Sequence, residues 1–132
     1  MSHKEFTAET PPAGEAVLST IAMPGDANPT GDIFGGWLLS QMDLAGSIPA
    51  TERAKGRVAT IAIEAMKFHR AVLVGDRVRC YAEVERVGRT SMAVKIETWV
   101  QRLGVAGMMK VTEGVFTYVA IDRNRQPRPV DL

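Results

Sequence analysis

The sequence predicts an α+β fold in which an antiparallel sheet of about five strands wraps around one long helix. Two observations lead to this class. A nearly all-apolar segment with helical periodicity spans residues 35–54, and it is followed by four segments with alternating or β-branched residues. The 132 residues suffice for one hydrophobic core, so we expect a single domain over residues 1–132.

The elements follow in chain order. Residues 16–23 form a short apolar strand, and the helix of residues 35–54 has Gly56 as its stop signal. Pro49 removes the backbone hydrogen bond to the carbonyl of Ala45, so it should kink or shorten the helix. The remaining strands are expected at residues 57–70, 77–87, 91–102 and 108–122, with irregular tails at residues 1–16 and 123–132.

Composition excludes several classes of partner. With 16 basic and 15 acidic residues the net charge is +1, which gives no electrostatic case for nucleic acid. No apolar run approaches the ~20 residues that span a bilayer, and the N-terminus lacks the apolar core of a signal peptide. We therefore expect a soluble cytoplasmic protein that does not act at a membrane. The lone Cys80 agrees with a reducing compartment.

The sequence contains no residue pattern typical of a metal site or of a serine or cysteine nucleophile. Two histidines, His3 and His69, and one cysteine cannot build a zinc site, so we expect no metal and no cofactor. Neither a Gly-x-Ser-x-Gly elbow nor a P-loop is present. Cys80 alternates with apolar residues and is expected in the core, and His69, beside Arg70, is expected to be a surface or structural residue.

The segment of residues 28–43, NPTGDIFGGWLLSQMD, carries the strongest functional signal. Gly35 and Gly36 begin the helix and leave backbone N–H groups, with the positive end of the helix dipole, open to an electron-rich ligand. Asp43 lies on the same face as Gly36, about 10 Å further along. Such a polar stripe is often only a solvated helix side, but its other positions carry Gly or Ser instead of Lys, Glu or Arg. The rest of the helix is apolar, which predicts burial around most of its circumference.

Several short motifs follow one another along the chain. They are MP at 23–24, the segment 28–43, GRVAT at 56–60, MKF at 66–68, VGD at 74–76, GRTS at 88–91 and FTYVA at 116–120. From about residue 17 to 129 the chain thus resembles the hotdog-fold acyl-CoA thioesterases, and within them the bacterial YciA-type broad-specificity acyl-CoA hydrolases. The resemblance implies a hotdog fold, hydrolysis of acyl-CoA to coenzyme A and a carboxylic acid, and a homodimer that assembles as a trimer of dimers.

The resemblance also implies roles for single residues. Asp43 matches the family's helical aspartate, which acts as general base or nucleophile toward the thioester. Asn28 matches an asparagine that positions water or the carbonyl, and Gly35 and Gly36 match the helix start that polarises the carbonyl. Donors must lie about 3 Å from the carbonyl oxygen, and a base must reach the attacking water. A gap of about 10 Å on one helix is too wide for this, so we expect the carboxylate to come from a second subunit's helix.

Coenzyme A carries phosphates, so its site needs basic side chains. The turn of Gly88, Arg89, Thr90 and Ser91 offers a charge and two hydroxyls, and the resemblance puts it at the nucleotide end; a plain hairpin turn is the alternative.

Other basic residues are weaker candidates for this site. Lys67 and Arg70 are second candidates for the coenzyme, or simply solvated strand residues. Arg123, Arg125 and Arg128 are expected to be unspecific surface charge.

Departures from the family leave acyl-chain preference open: Ala71 stands where the family often has Pro, and Pro49 replaces a larger aliphatic residue. Ser47 replaces a small apolar residue, and its hydroxyl either assists the water or fills space.

Three other functions compete with hydrolysis. A non-catalytic acyl-CoA-binding or sensing hotdog domain would keep the channel and lose the base, which retention of Asp43 and Asn28 argues against. A transcription regulator would need a DNA-binding extension, for which the polar N-terminal residues leave no room. A hotdog hydratase would need an Asp–His pair, and nothing in the sequence puts His69 near Asp43.

Overall fold

A computed structural model describes residues 9–131 and contains one α-helix packed on a five-stranded antiparallel sheet. The helix is α1 (Gly35–Ala54), and the strands are β1 (Leu18–Ile21), β2 (Val58–Phe68), β3 (Arg77–Val87), β4 (Ser91–Gln101) and β5 (Met109–Ala120). The strand order is β1-β3-β4-β5-β2, which leaves β1 and β2 at the edges. The predicted α+β class is confirmed, and the arrangement is that of a hotdog fold.

The predicted bounds of the helix and of β3 are correct, whereas the other strands are shorter than expected. Residues 16–23 were predicted for β1, but pairing covers only Leu18 to Ile21, opposite Cys80 to Arg77. β2 ends at Phe68 because the next two backbone N–H groups both point at the carbonyl of Val111. A strand therefore ends where its partner stops pairing with it, which local sequence does not reveal.

The carboxyl end of α1 lies at the predicted residue, but the residues that end the helix differ from the prediction. The helix continues through Pro49 to Ala54, so Pro49 does not shorten it. Lys55, rather than Gly56, takes the left-handed conformation (φ 53°) that ends it. Arg128 Nη2 donates to the carbonyl of Ala54 at 2.8 Å, and a Cβ on Gly56 would lie 2.7 Å from that nitrogen. Arg128 is thus a structural cap of the helix, and its interpretation as unspecific surface charge was wrong.

The segment after β5 has no long regular element but is well connected. Asp122 Oδ1 accepts hydrogen bonds from the backbone N–H groups of Asn124 and Gln126, at 2.8 and 3.0 Å. Val130 is buried in the core and its N–H donates to the carbonyl of Arg89. The predicted irregular tail is therefore folded against the turn between β3 and β4.

One face of α1 packs on the inner face of the sheet. The buried helix residues are Leu38, Met42, Ala45, Gly46, Ala50 and Ala54. The inner face of β4 carries residues 92, 94, 96, 98 and 100, which are all buried, and Ala93 and Trp99 on its other face are buried as well. Cys80 is fully buried, and burial raises the pKa of its thiol to about 11, so the thiol stays neutral. Its expected place in the core is confirmed.

The opposite face of α1 is not covered within the described chain. Leu44 and Ile48 are 54% and 40% exposed, contrary to the predicted burial around most of the helix. Large apolar residues of edge strand β2, namely Ile61, Ile63 and Phe68, are exposed as well. We call these five residues the apolar edge. Exposed edge strands with apolar residues are a site for association with another chain.

No helix within residues 9–131 has both the length and the apolar character needed to cross a bilayer.

Candidate active site

Asp43 lies in the third turn of α1, half-buried, and is held by hydroxyls from two strands. Thr60 Oγ1 of β2 donates to Asp43 Oδ1 at 2.6 Å. Tyr118 Oη of β5 lies 3.1 Å from the same oxygen and 2.9 Å from the backbone carbonyl of Asp43. No residue among 9–131 makes a hydrogen bond to Oδ2, so this oxygen is available to water or substrate. The arrangement suits a carboxylate that must face a reacting group in a fixed orientation.

The start of α1 offers backbone donors. Phe34 precedes the helix and gives no side-chain cap, and its carbonyl accepts from the N–H groups of Trp37 and Leu38, at 3.1 and 3.3 Å. Within residues 9–131 the N–H groups of Gly35 and Gly36 have no hydrogen-bond partner. The first turn contains no acidic residue, and a Cβ on Gly36 would meet no atom within 4 Å. The positive end of the helix is therefore open to an electron-rich atom.

Asn28 organises the loop that leads into the helix. Its Oδ1 accepts from Thr30 N at 3.0 Å, from Thr30 Oγ1 at 2.7 Å and from Asp32 N at 3.1 Å. The backbone N–H of Asn28 also donates to the carbonyl of Asp32. The oxygen of the Asn28 amide is thus occupied by its own loop, while its Nδ2 group makes no hydrogen bond to any described residue.

The structure joins Asp43 to Thr60 and Tyr118, neither of which was a predicted site residue, and to none of the residues predicted to share its site. Asp43 makes no hydrogen bond to Gly36 or to Asn28 within residues 9–131. Gly36 and Asp43 stand seven residues apart in an unbroken helix, which corresponds to about 10 Å along the axis. Within one chain, the backbone N–H donors of Gly35 and Gly36 and the carboxylate of Asp43 therefore lie on the same helix but too far apart to contact one atom.

The turn of residues 88–91 connects β3 and β4 at the same end of the sheet as Asp43. Gly88 N donates to Ser91 O at 2.7 Å, and Thr90 O accepts from Ala120 N at 2.8 Å. Met92, the residue after this turn, pairs with Tyr118, whose hydroxyl contacts Asp43. The turn therefore lies close to Asp43 along the sheet. The side chain of Arg89 is exposed and projects from a turn whose backbone is fixed on both sides.

Lys67 and Arg70 lie toward the opposite end of β2. Lys67 pairs with Glu113, five residues along β5 from Tyr118, or roughly 17 Å at the rise of a strand. Arg70 is already engaged, by Glu9 at 2.9 Å and by the carbonyl of Lys110 at 2.6 Å. Within one chain these two residues and Arg89 do not converge on a single site.

His69 and Ser47 have local roles. His69 Nε2 lies 2.6 Å from Glu113 Oε2, and this contact lowers the pKa of the Glu113 carboxyl. His69 is paired at the far end of β2, as expected for a structural residue. Ser47 Oγ donates to the carbonyl of Leu44 at 2.7 Å, within its own helix.

Sequence reasoning missed Thr60 and Tyr118 as site residues. The available signal was weak: each is a hydroxyl residue within a short motif, Thr60 in GRVAT and Tyr118 in FTYVA. Their partner lies 17 and 75 positions away along the chain, so only the sheet register brings them to Asp43.

Comparison with known proteins agrees with this architecture. Residues 30–106 match the family model described as the thioesterase superfamily. The chain is 50% identical over 129 residues to the acyl-CoA thioester hydrolase YciA of Salmonella typhimurium, covering 96% of this chain and 97% of that protein. A hexameric thioesterase from Yersinia pestis is 51% identical, with a TM-score of 0.83 over 89% of this chain and 96% of that one. A hexameric hotdog fold thioesterase of Campylobacter jejuni is 44% identical, with a TM-score of 0.83 over 88% and 90% of the two chains.

Proposed function

This chain belongs to the thioesterase superfamily and is an acyl-CoA hydrolase, and from that premise we propose that Asp43 drives the cleavage of the thioester. One observation carries the proposal. The Asp43 carboxylate is half-buried, and its Oδ1 accepts hydrogen bonds from Thr60 and Tyr118. Its Oδ2 accepts none from the described residues, which leaves it available to act as a base or a nucleophile.

In the base mechanism Asp43 takes a proton from water, and the resulting hydroxide attacks the thioester carbon. The carbonyl oxygen becomes an oxyanion, which the N–H groups of Gly35 and Gly36 stabilise. Collapse of this intermediate breaks the C–S bond, and the coenzyme A sulfur leaves with the proton. In the nucleophile mechanism the Asp43 carboxylate attacks the thioester carbon, the C–S bond breaks to give a mixed anhydride, and the coenzyme A thiolate leaves and takes a proton from water. A second water then hydrolyses the mixed anhydride and regenerates the Asp43 carboxylate. Both routes give free coenzyme A and a carboxylic acid.

The donors and the carboxylate come from different subunits in this proposal. A gap of about 10 Å between Gly36 and Asp43 prevents one helix from supplying both to a single carbonyl carbon. The apolar edge gives the chain a surface for a second copy, and it includes Leu44, which follows Asp43 directly. The hexameric state of similar thioesterases supports association. The minimum active unit is accordingly a homodimer, assembled as a trimer of dimers.

A direct assay tests hydrolysis. Purified protein is incubated with acyl-CoA of short, medium and long chains, and released thiol is followed with a chromogenic disulfide. We expect turnover on at least one chain-length class. Tight acyl-CoA binding without thiol release on any of them would favour the non-catalytic sensing domain instead.

Asn28→Asp tests a role of the Asn28 amide in the reaction. The carboxylate keeps the oxygen that organises the loop but loses the two N–H donors, so we expect kcat to fall by about tenfold to hundredfold with little change in melting temperature. Asn28→Ala, which loses the loop contacts too, should also lower the melting temperature. A change confined to KM in Asn28→Asp would make Asn28 a substrate-binding residue.

Arg89→Ala tests whether the turn of residues 88–91 binds the nucleotide of coenzyme A. Loss of one phosphate contact should raise KM for acyl-CoA about tenfold, or ~1.4 kcal/mol, with kcat little changed. Arg86→Ala removes an exposed arginine of β3, outside the turn, and should leave KM unchanged. An acyl-pantetheine thioester lacks the nucleotide and should not sense Arg89→Ala. An equal defect on both substrates would mean that Arg89 acts through folding.

A further inference from the structure

Tyr118 lies beneath the carboxylate of Asp43. Its side chain is 1% exposed, on the inner face of β5, and only its hydroxyl reaches polar atoms of α1. The single hydroxyl proton faces two acceptors of one residue, Asp43 Oδ1 and the Asp43 carbonyl. A buried phenol usually satisfies its hydroxyl with one partner and contributes mainly packing. Here the hydroxyl connects the side chain of Asp43 to its own helix backbone.

We propose that Tyr118 is a positioning residue that holds the Asp43 carboxylate with Oδ1 turned into the protein and Oδ2 turned toward the substrate. This inference rests on the proposed role of Asp43. The bond from Thr60 alone would leave the carboxylate free to swing about that contact. A second donor on the same oxygen, anchored to a buried ring, removes that freedom and keeps Oδ2 as the reacting atom.

Electrostatics keep Tyr118 in the donor form. Burial and the adjacent Asp43 carboxylate both raise the pKa of the Tyr118 phenol well above its usual value. The hydroxyl is therefore protonated at neutral pH and can donate to Asp43. Its contact with the Asp43 carboxylate is a hydrogen bond in which the phenol is the donor.

Gly46 makes this contact sterically feasible. Gly46 is buried in the middle of α1, where a glycine costs helix stability relative to alanine. A Cβ at this position would collide with the Tyr118 hydroxyl and would lie 2.6 Å from Ile96 Cδ1. Gly46 therefore leaves the space through which the Tyr118 hydroxyl reaches Asp43. Asp43 lies three residues before Gly46, on the same face of the helix.

The test compares two tyrosine-to-phenylalanine variants of the full chain. Tyr118→Phe keeps the buried ring and removes the hydroxyl, and we expect kcat to fall about tenfold with KM within about twofold. Tyr81→Phe removes a half-buried hydroxyl from β3 of the same sheet and should leave both constants unchanged. Gly46→Ala should reproduce the kcat loss by pushing the hydroxyl away from Asp43.

A double variant separates positioning from general destabilisation. If Tyr118 acts through Asp43, adding Tyr118→Phe to Asp43→Asn should lower the residual activity no further. A tenfold further loss in that background, or a Tyr118→Phe enzyme with full kcat, would overturn the proposal. Should Tyr118→Phe fail to fold, Gly46→Ala decides, and its full activity would equally overturn the proposal. Full activity of Asp43→Asn alone would instead refute the role of Asp43, so the two failures are distinguishable.

Discussion

Asp43→Asn is expected to lower kcat by about 10²- to 10⁴-fold, the usual contribution of a positioned base or nucleophile. The amide oxygen can still accept from Thr60 and Tyr118, so the fold around the site should be preserved. The amide nitrogen takes the place of Oδ2 and can neither accept a proton nor attack a carbonyl carbon. KM should change little because the proposed contacts to coenzyme A lie elsewhere.

The measurement is a steady-state thiol-release assay on matched preparations, with melting temperatures for both. Glu52→Gln provides the control, since Glu52 is an exposed carboxylate of the same helix. It should retain full activity. Activity of Asp43→Asn within about threefold of the parent enzyme would remove Asp43 from the mechanism.

The fold was predictable where local signals are strong. Helical periodicity after a glycine pair located α1 at its observed bounds, and alternation located β3 and the inner face of β4. Strand ends were less predictable because pairing partners set them. The residue that ends the helix was misassigned: Lys55 takes the left-handed conformation, and Arg128, 74 positions from Ala54, supplies a cap that a Cβ on Gly56 would obstruct.

The candidate site was predictable only in its helical part. Asp43 and Gly36 share one periodic segment, so spacing alone puts them on one face. Thr60 and Tyr118 reach Asp43 through the register of β2 and β5, which no short motif encodes. Likewise, apolar composition predicted a buried helix, whereas Leu44 and Ile48 are exposed. Apolar composition alone does not tell whether such residues are covered by the same chain or by a second copy of it.

Complementation between two inactive variants should restore activity if the site is shared between subunits. An Asp43→Asn chain keeps an intact helix start, and a Gly36→Pro chain keeps an intact carboxylate but loses one backbone donor. In a mixed dimer one of the two sites then combines both intact groups. With random mixing and independent sites, activity should return to about a quarter of that of the parent enzyme.

The mixing experiment needs evidence of exchange and of folding. Differently tagged chains that co-purify after joint refolding or co-expression would demonstrate mixed assemblies. Gly36→Ala retains the N–H group, and its Cβ meets no atom within 4 Å, so it controls for changes at the helix start. Gly36→Ala should be active as a homo-oligomer, without mixing with a second variant. If mixed assemblies form and no activity returns, the donors and the carboxylate must act within one chain. The helix would then have to bring Gly36 and Asp43 closer than the ~10 Å that its unbroken geometry imposes, so that outcome would also require a different substrate pose.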